Sequence, residues 1–480
     1  MSIDYRNASN YKSRASTNRT RTQERNSISR LQAITKGEVI TPNDSTYDQA
    51  RTIFYGGFDR KPAVIIKAAD ETDVAHVVTY AREAGIELAV RGGGHSVAGH
   101  SVSNGGIVLD LSTMKELRID PDKHTAWAQS GLTTGEYTTA AGAYGLATGF
   151  GDTGSVGIGG LTLGGGVGYL VRKYGLTIDD LLQADIVTAD GKNLRIDNES
   201  HPDLFWAIRG GGGNFGVVTQ FKFRLHEMDQ IVGGMLILPA TPDIVSSFVA
   251  EAEAAPEELS TIANVMVAPP MPFLPAEVHG TLIMLATLAY AGSIDEGQHV
   301  LAPFRALAKP IVDMVRPMRY PELYPPDQPG FHPRSASRNM FVDTFDRHMA
   351  ETILDHLKQS TAMMSAAQVR VLGGAMARVP AQATAFAHRQ RRIMLNVAAM
   401  YQRPDEQTTH ESWAANLARA ISQDDGDVYV NFLEDVGKER VRAAYPGTTW
   451  DRLVAVKAQY DPTNLFRLNH NVPPVVDDRD

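Results

Sequence analysis

"GFGDTGSVGIGGLTLGGGVGYLVRKYGLTID" (Gly149–Asp179) sets glycine at positions 157, 159, 160, 164, 165, 166 and 168 within a largely apolar run. Glycine at this density needs a physical cause. A backbone without side chains lets a flat or anionic ligand reach its N–H groups, and successive N–H groups form nests that hold phosphate. Tight turns under close packing would use glycine too. The run does not stand alone, however: "RGGGHS" (Arg91–Ser96) and "RGGGGNFG" (Arg209–Gly216) repeat the pattern on either side of it. Several such loops in one region point to a ligand.

The surroundings of these loops fix an α/β context. "PAVIIKA" (Pro62–Ala68) reads as a buried strand and "DETDVAHVVTYAREAG" as an amphipathic helix with an acidic start and a glycine stop. "IELAV" (Ile86–Val90) reads as a second strand. Arg91–Ser96 therefore leaves the end of a β-α-β unit, where open α/β sheets present ligand loops. "GIVLDLS" and "TAWAQSG" predict strands, "LTTGEYTTAAGAYG" a helix, and "ADIVTADGKNLRID" a hairpin turning in two residues at Asp190-Gly191. Gly211, Gly213 and Gly216 satisfy G-x-G-x-x-G, but a helix ("DLFWAIR") precedes them and a strand ("VVTQFKF") follows. A dinucleotide loop needs the reverse order, so a nicotinamide Rossmann site is excluded, and no phosphate-binding P-loop motif exists.

Beyond residue 228 the texture changes. "GGMLILPA", "STIANVMVAP", "GTLIMLATLAY", "QVRVLGGAMARV", "IMLNVAAMY" and "DVYVNFL" read as strands, interleaved with helices such as "TPDIVSSFVAEAEAA" and "DRHMAETILDHLKQS". An antiparallel sheet backed by helices is the expected packing. "RYPELYPPDQPGFHP" (Arg319–Pro333) reads as a loop, and "WDRLVAVKAQYDP" as a helix stopped near Pro462.

Composition removes whole classes of function. With 480 residues and 43% hydrophobic content the chain buries a large core. A net charge of −9 without a long basic stripe excludes nucleic acid as partner. The basic, polar stretch from Arg6 to Arg30 reads as an arm outside the core. No apolar run suits a signal peptide or a membrane span, so the expected location is the cytoplasm. The chain has no cysteine, which excludes disulfides, thiolate metal sites and cysteine nucleophiles. His95 and His100 stand four residues apart inside a glycine loop, with no carboxylate cluster nearby, so no metal site is expected. On composition alone His95 is either a hydrogen-bonded turn residue or a functional one.

Together, "VRGGGHS", "GIGGLTLGGGVGYLVRKYGLTIDDLLQADIVTADG", "DLFWAIRGGGGNFGVVTQF" and "YDPTNLFRLNHNVPP" strongly resemble the vanillyl-alcohol-oxidase superfamily. The branch they resemble is that of berberine-bridge-enzyme-like FAD oxidoreductases with a PCMH-type FAD-binding domain, near the bacterial 6-hydroxynicotine-oxidase type. The resemblance covers about residues 50 to 228 and the last forty residues. It implies a two-domain α+β flavoprotein. The expected divisions are an arm and lead-in (1–44), an FAD-binding domain (45–228), an inserted substrate domain (229–439) and a return to the FAD domain (440–480).

Site residues follow by resemblance, position by position. His95 stands where the family bonds the flavin 8α-methyl group, with Arg91, Gly92, Gly93, Gly94 and Ser96 around the pyrophosphate. Thr153 stands where many members carry a second flavin-linking cysteine, so attachment here is expected at one point only. Gly154, Gly157, Gly160, Gly164 and Gly168 continue that cofactor loop. Val156 falls at a position that governs oxygen access, and its small side chain favours an oxidase. Val217 and Val218 match a strand beside the adenine, and Asn469 and Asn471 a strip returning to the isoalloxazine. Tyr429 and Asn431 match a Y-x-N strand, with Tyr429 the expected base; His388 and Arg389 are candidates for orienting substrate. The implied reaction takes a hydride from a small substrate's CH–OH or CH–NH group, or desaturates it, with flavin N5 as acceptor and O2 reduced to H2O2. A dehydrogenase using another acceptor, or a flavin-retaining protein without turnover, would keep the same fold.

Overall fold

The strands Val64–Lys67, Ile107–Asp110 and Leu88–Arg91 lie parallel in one small sheet, and Glu38–Ile40 adds an antiparallel edge beside Val64–Lys67. This computed structural model describes residues 29–324, 330–423, 426–434 and 437–475. The arm expected from Arg6 lies outside the described residues up to residue 28. The helix Glu71–Ala84 crosses over the sheet as its sequence dictates. Asp70 caps its N-terminus by accepting from Thr72 and Asp73 N–H, and Gly85 ends it in the left-handed region at φ 62°. Val74, Val77, Val78 and Ala81 meet Ile66, Leu109 and Leu88 in one core.

A second, antiparallel sheet runs in the order Leu117–Asp120, Thr125–Gln129, Val217–Arg224, Leu181–Val187, Asn193–Ile196. Its hairpin is longer than expected. Thr188 N–H donates to Lys192 O, which leaves Ala189, Asp190 and Gly191 as the connection, with Gly191 at φ 81°. The turn dipeptide is placed correctly, but the left-handed glycine closes a three-residue loop.

Strands between Ile231 and Tyr401 build the largest sheet, all of whose pairings are antiparallel. Helices Pro242–Ala254, Ile294–Ala306, Arg347–Gln359 and Gln407–Ile421 supply Val249, Phe304, Ile353 and Leu417 to a core with Leu236, Val265, Leu395 and Val397. Each such buried side chain contributes roughly 1.5–3 kcal/mol. In Ile393–Tyr401 the alternation is plain: Leu395, Val397 and Ala399 face the helices, and Asn396, Ala398 and Met400 face a cavity. Arg334–Val342 is an edge strand that sequence reasoning passed over. Its "RSASRN" looks like loop because Ser335 and Ser337 point at the same cavity.

"DVYVNFL" is not a strand. Val430–Phe432 forms a 3-10 turn, although Val428 and Val430 enter one core while Tyr429 enters another. The alternation is real, but the ladder beside it stops after Tyr429 N–H bonds to Asn339 Oδ1 at 2.6 Å and Phe341 N–H to Asp427 O at 3.2 Å.

The tail is tied down by a buried charge. Lys457, on the helix Thr448–Tyr460, is fully buried and donates to Asp461 Oδ2 (2.7 Å), Asn214 O (2.8 Å) and Phe466 O (2.8 Å). Asp461 in turn accepts from Leu465 and Phe466 N–H, so one ion pair pins the tail to the loop at Gly212–Asn214. Lys457→Met should cost about 3–5 kcal/mol by stranding a buried carboxylate. It should lower the Tm; an unchanged Tm would show the tie is not used.

Candidate active site

A cavity of about 520 Å³ lies between the glycine loops and the polar face of the large sheet. Its floor holds Gly92, Gly93, Gly94, His95 and Ser96, then Thr153, Val156, Gly157 and Gly160, and also Val217 and Val218. Tyr429, Asn431 and Asn469 complete the sequence-predicted residues that reach it. The strand Leu88–Arg91 delivers the first loop, whose left-handed turn falls at Gly94 (φ 69°). The two loops touch: a Cβ on Gly93 would lie 2.3 Å from Gly157 N. His95 stacks on Phe54 with ring centroids 4.1 Å apart.

The floor fits a dinucleotide-sized anion. The N–H groups of Gly92, Gly93, Gly94 and Ser96 have no partner among the described residues, although unpaired N–H groups are rare in folded chains. Consecutive free N–H groups are an anion nest. Space stands open where Gly160 and Gly213 lack a Cβ, and Asn469 Oδ1 and Tyr445 OH, both on the cavity wall, are buried without a partner. These are the features an FAD molecule would fill: a pyrophosphate nest, backbone open to a flat ring, and spare polar atoms.

Other predicted residues are placed elsewhere. Arg91 does not line the cavity; its guanidinium is buried against Asp110 at 2.7 Å. Gly154, Gly164, Gly168 and Asn471 also lie outside the lining. Gly154 O accepts from Gly135 N–H, and Gly168 is a packing glycine, since a Cβ there would meet Phe150 O at 1.4 Å. His388 and Arg389, the expected substrate-orienting pair, do not line the cavity. Arg389 is fully buried in a two-pronged pair with Asp179 (2.7 and 2.8 Å), and His388 lies between Asp427 and Ala444 O. The two residues form an internal brace instead.

Tyr429 is 2% exposed, and its hydroxyl oxygen accepts from Gly166 N–H (3.0 Å), Val167 N–H (3.3 Å) and Asn431 Nδ2 (2.8 Å). Burial raises its pKa above the usual phenol value, and these donors oppose that shift without cancelling it by favouring the phenolate. The roof supplies residues that sequence reasoning missed: Ser335, Ser337, Gln368, Arg370, Asn396 and, from the floor side, Asp152 and Tyr55. Arg370 Nη2 meets Asp152 Oδ2 at 2.5 Å. Burial and the carboxylates of Asp152 and Glu434 push Tyr55 up to about 12. Period-two reading of "SAAQVRV" marks Gln368 and Arg370 as one face, but nothing in the sequence says which face is occupied.

Sequence patterns place the chain among known proteins. Residues 62–197 match the family described as FAD binding domain, and residues 428–473 the family described as berberine and berberine like. An uncharacterised FAD-linked oxidoreductase, YgaK of Bacillus subtilis, is 30% identical over 448 residues, covering 92% of this chain and 97% of its own. (R)-6-hydroxynicotine oxidase of Paenarthrobacter nicotinovorans is 30% identical over 455 residues, covering 92% and 97%. Among solved structures, 6-hydroxy-D-nicotine oxidase from Arthrobacter nicotinovorans superimposes with a TM-score of 0.82 at 27% identity, covering 92% of this chain and 98% of that one. No described helix is long and apolar enough to cross a membrane, and no cluster of metal-ligating side chains occurs among the described residues.

His100 lines the cavity too, edge-on to His470 with centroids 4.9 Å apart. Burial pulls its imidazole down to about 4. The unfolded chain therefore takes up this proton near pH 6.5 and the folded chain only near 4. Stability should fall as pH drops through that window, by at most about 3 kcal/mol from this group. His100→Gln should flatten this part of the Tm–pH curve; an identical slope would exclude His100 as its source.

Proposed function

The chain belongs to the berberine-bridge-type FAD-linked oxidoreductases of the vanillyl-alcohol-oxidase superfamily, and from that premise we propose that it is an oxidase of a small organic substrate, with FAD attached through His95 alone. The observation that carries this reading is the row of unpaired N–H groups at Gly92, Gly93, Gly94 and Ser96, with His95 in their midst. Residues 45–228 and 440–480 would hold the cofactor, and residues 229–439 the substrate. A chain without cysteine, with Thr153 at the alternative attachment point, supports single-point attachment and suits the cytoplasm.

Bound FAD would supply a two-electron acceptor, taking a hydride at N5 and returning the electrons to O2 as H2O2. The protein's work is orientation, exclusion of water and proton handling. The nest at Gly92–Ser96 holds the pyrophosphate, and Asn469 and Tyr445 offer their spare polar atoms to the same ligand. Val156, a small residue on the cavity wall, leaves room for oxygen. Tyr429 acts as base in its phenolate form, which burial disfavours and its three N–H donors favour, and it becomes a neutral phenol on taking the proton from the substrate's O–H or N–H group. Asn431 holds that oxygen in place and is itself fixed between Tyr429 and the Leu161 carbonyl.

Acid-precipitated protein should remain yellow, and His95→Ala should release its flavin to the supernatant. Wild-type protein that gives up all its flavin would remove the covalent link. Tyr429→Phe should keep the flavin absorbance but lower kcat by about 10²–10⁴; a wild-type kcat would remove Tyr429 as base. In stopped flow, air should reoxidise the reduced enzyme within seconds, whereas reoxidation over many minutes would identify a dehydrogenase.

A further inference from the structure

The roof brings a cation into the cavity. Arg370 lines it, yet its side chain is only 3% exposed, so its charge acts in a poorly hydrated space. The guanidinium is fixed on several sides. Nε and Nη2 donate to Gln368 Oε1 (2.9 and 2.7 Å), Nη2 also to Asp152, and Nη1 to Val167 O (3.1 Å), while the group lies 5.1 Å over the Phe432 ring. Of the five N–H donors of an arginine, one on Nη1 is left without a partner among the described residues.

Among the described lining residues no carboxylate oxygen stands unpaired to meet an ammonium ion. Asp152 is the one carboxylate among the described lining residues, and Arg370 occupies it. Glu434 stands behind Ser337, where it accepts from Ser337 N–H (2.6 Å), Ser337 Oγ (3.1 Å) and Arg338 Nη1 (2.8 Å). Arg370 also favours the charged form of Tyr429, working with the N–H donors against burial. A protonated amine would meet a fixed cation and find no free anion, at a cost that low hydration magnifies.

Granting the flavin-oxidase reading on which it rests, we propose that Arg370 is the specificity-determining residue of this site, selecting substrates that are uncharged or anionic at the group facing it over protonated amines. The substrate class is therefore an alcohol or a hydroxylated acid. This separates the chain from a relative whose name, 6-hydroxynicotine oxidase, denotes a basic substrate.

Three probes test this on the oxidised holoenzyme at pH 7: 4-hydroxybenzyl alcohol, 4-hydroxybenzoate and 4-hydroxybenzylamine, alike except in one group. Binding is read as a perturbation of the flavin spectrum. The alcohol and the carboxylate should bind at least ~10-fold more tightly than the amine, as expected for a like-charge penalty. Asp152→Asn, which leaves Arg370 uncompensated, should tighten the carboxylate further. The double variant Asp152→Asn with Arg370→Gln keeps hydrogen-bonding side chains but no charge, and should shrink the amine-to-carboxylate ratio by ~10-fold or more. A purely structural pair would weaken all three probes together. Amine binding equal to or tighter than carboxylate binding, no response to the carboxylate, or unchanged discrimination in the double variant would each overturn the proposal. A preparation that arrives colourless would instead fail the flavin reading.

Discussion

The close approach of the roof to a backbone without side chains governs the rest of this molecule. A Cβ on Gly164 would sit 2.0 Å from Asn431 Oδ1, and one on Gly210 would sit 2.4 Å from Phe386 N. Any larger residue at either place would push the layers apart by more than a packed interior tolerates. Glycine here serves the joint, whereas Gly92 and Gly94 serve the cavity surface and Gly93 serves both that surface and the contact with Gly157. The same residue type carries different physical jobs around one cavity.

Glycine alone would leave a soft contact, and buried arginines stiffen it. Arg389 reaches down from the roof side to Asp179, and Arg370 to Asp152. Arg172 reaches the other way, donating to the carbonyls of Ala252, Leu259 and Ala255 at 2.6, 3.1 and 2.9 Å. Each group is expensive to desolvate, and its partners repay that cost only in one geometry. Such bridges contribute less to net stability than to fixing one arrangement. The cavity height, and so the distance between floor and roof groups, follows from them.

What could be read from the sequence divides along that joint. The floor was legible because its chemistry is local: a strand, a glycine turn and His95 lie within a few residues, and no distant partner is needed to recognise them. The roof was not. Ser335, Gln368 and Asn396 come from three strands, and only register brings them together. "DVYVNFL" alternates as a strand does because its side chains enter two cores, yet the backbone ladder ends there. Within "AFAHRQRR" only His388 and Arg389 among the charged and ionisable side chains are buried, and their burial depends on Asp427 and Asp179, far away in the chain. Arg91, read with its glycine neighbours, turned out to serve the strand beneath them through Asp110.

This division has a consequence for how one fold serves many substrates. The floor must meet a ligand of constant shape, so its geometry is written in short motifs where each residue constrains the next. The roof's cavity residues alternate with core residues such as Leu395, Val397 and Val369. Because successive side chains on a strand face opposite ways, a roof position can change from Gln to Arg or Ser without moving the hydrophobic residue beside it. The helices behind the sheet see no difference. The face that lines the cavity is therefore mechanically insulated from the face that keeps the sheet folded. The exception is Arg370, which both faces the cavity and braces Asp152, so that at this one position selectivity and assembly are coupled.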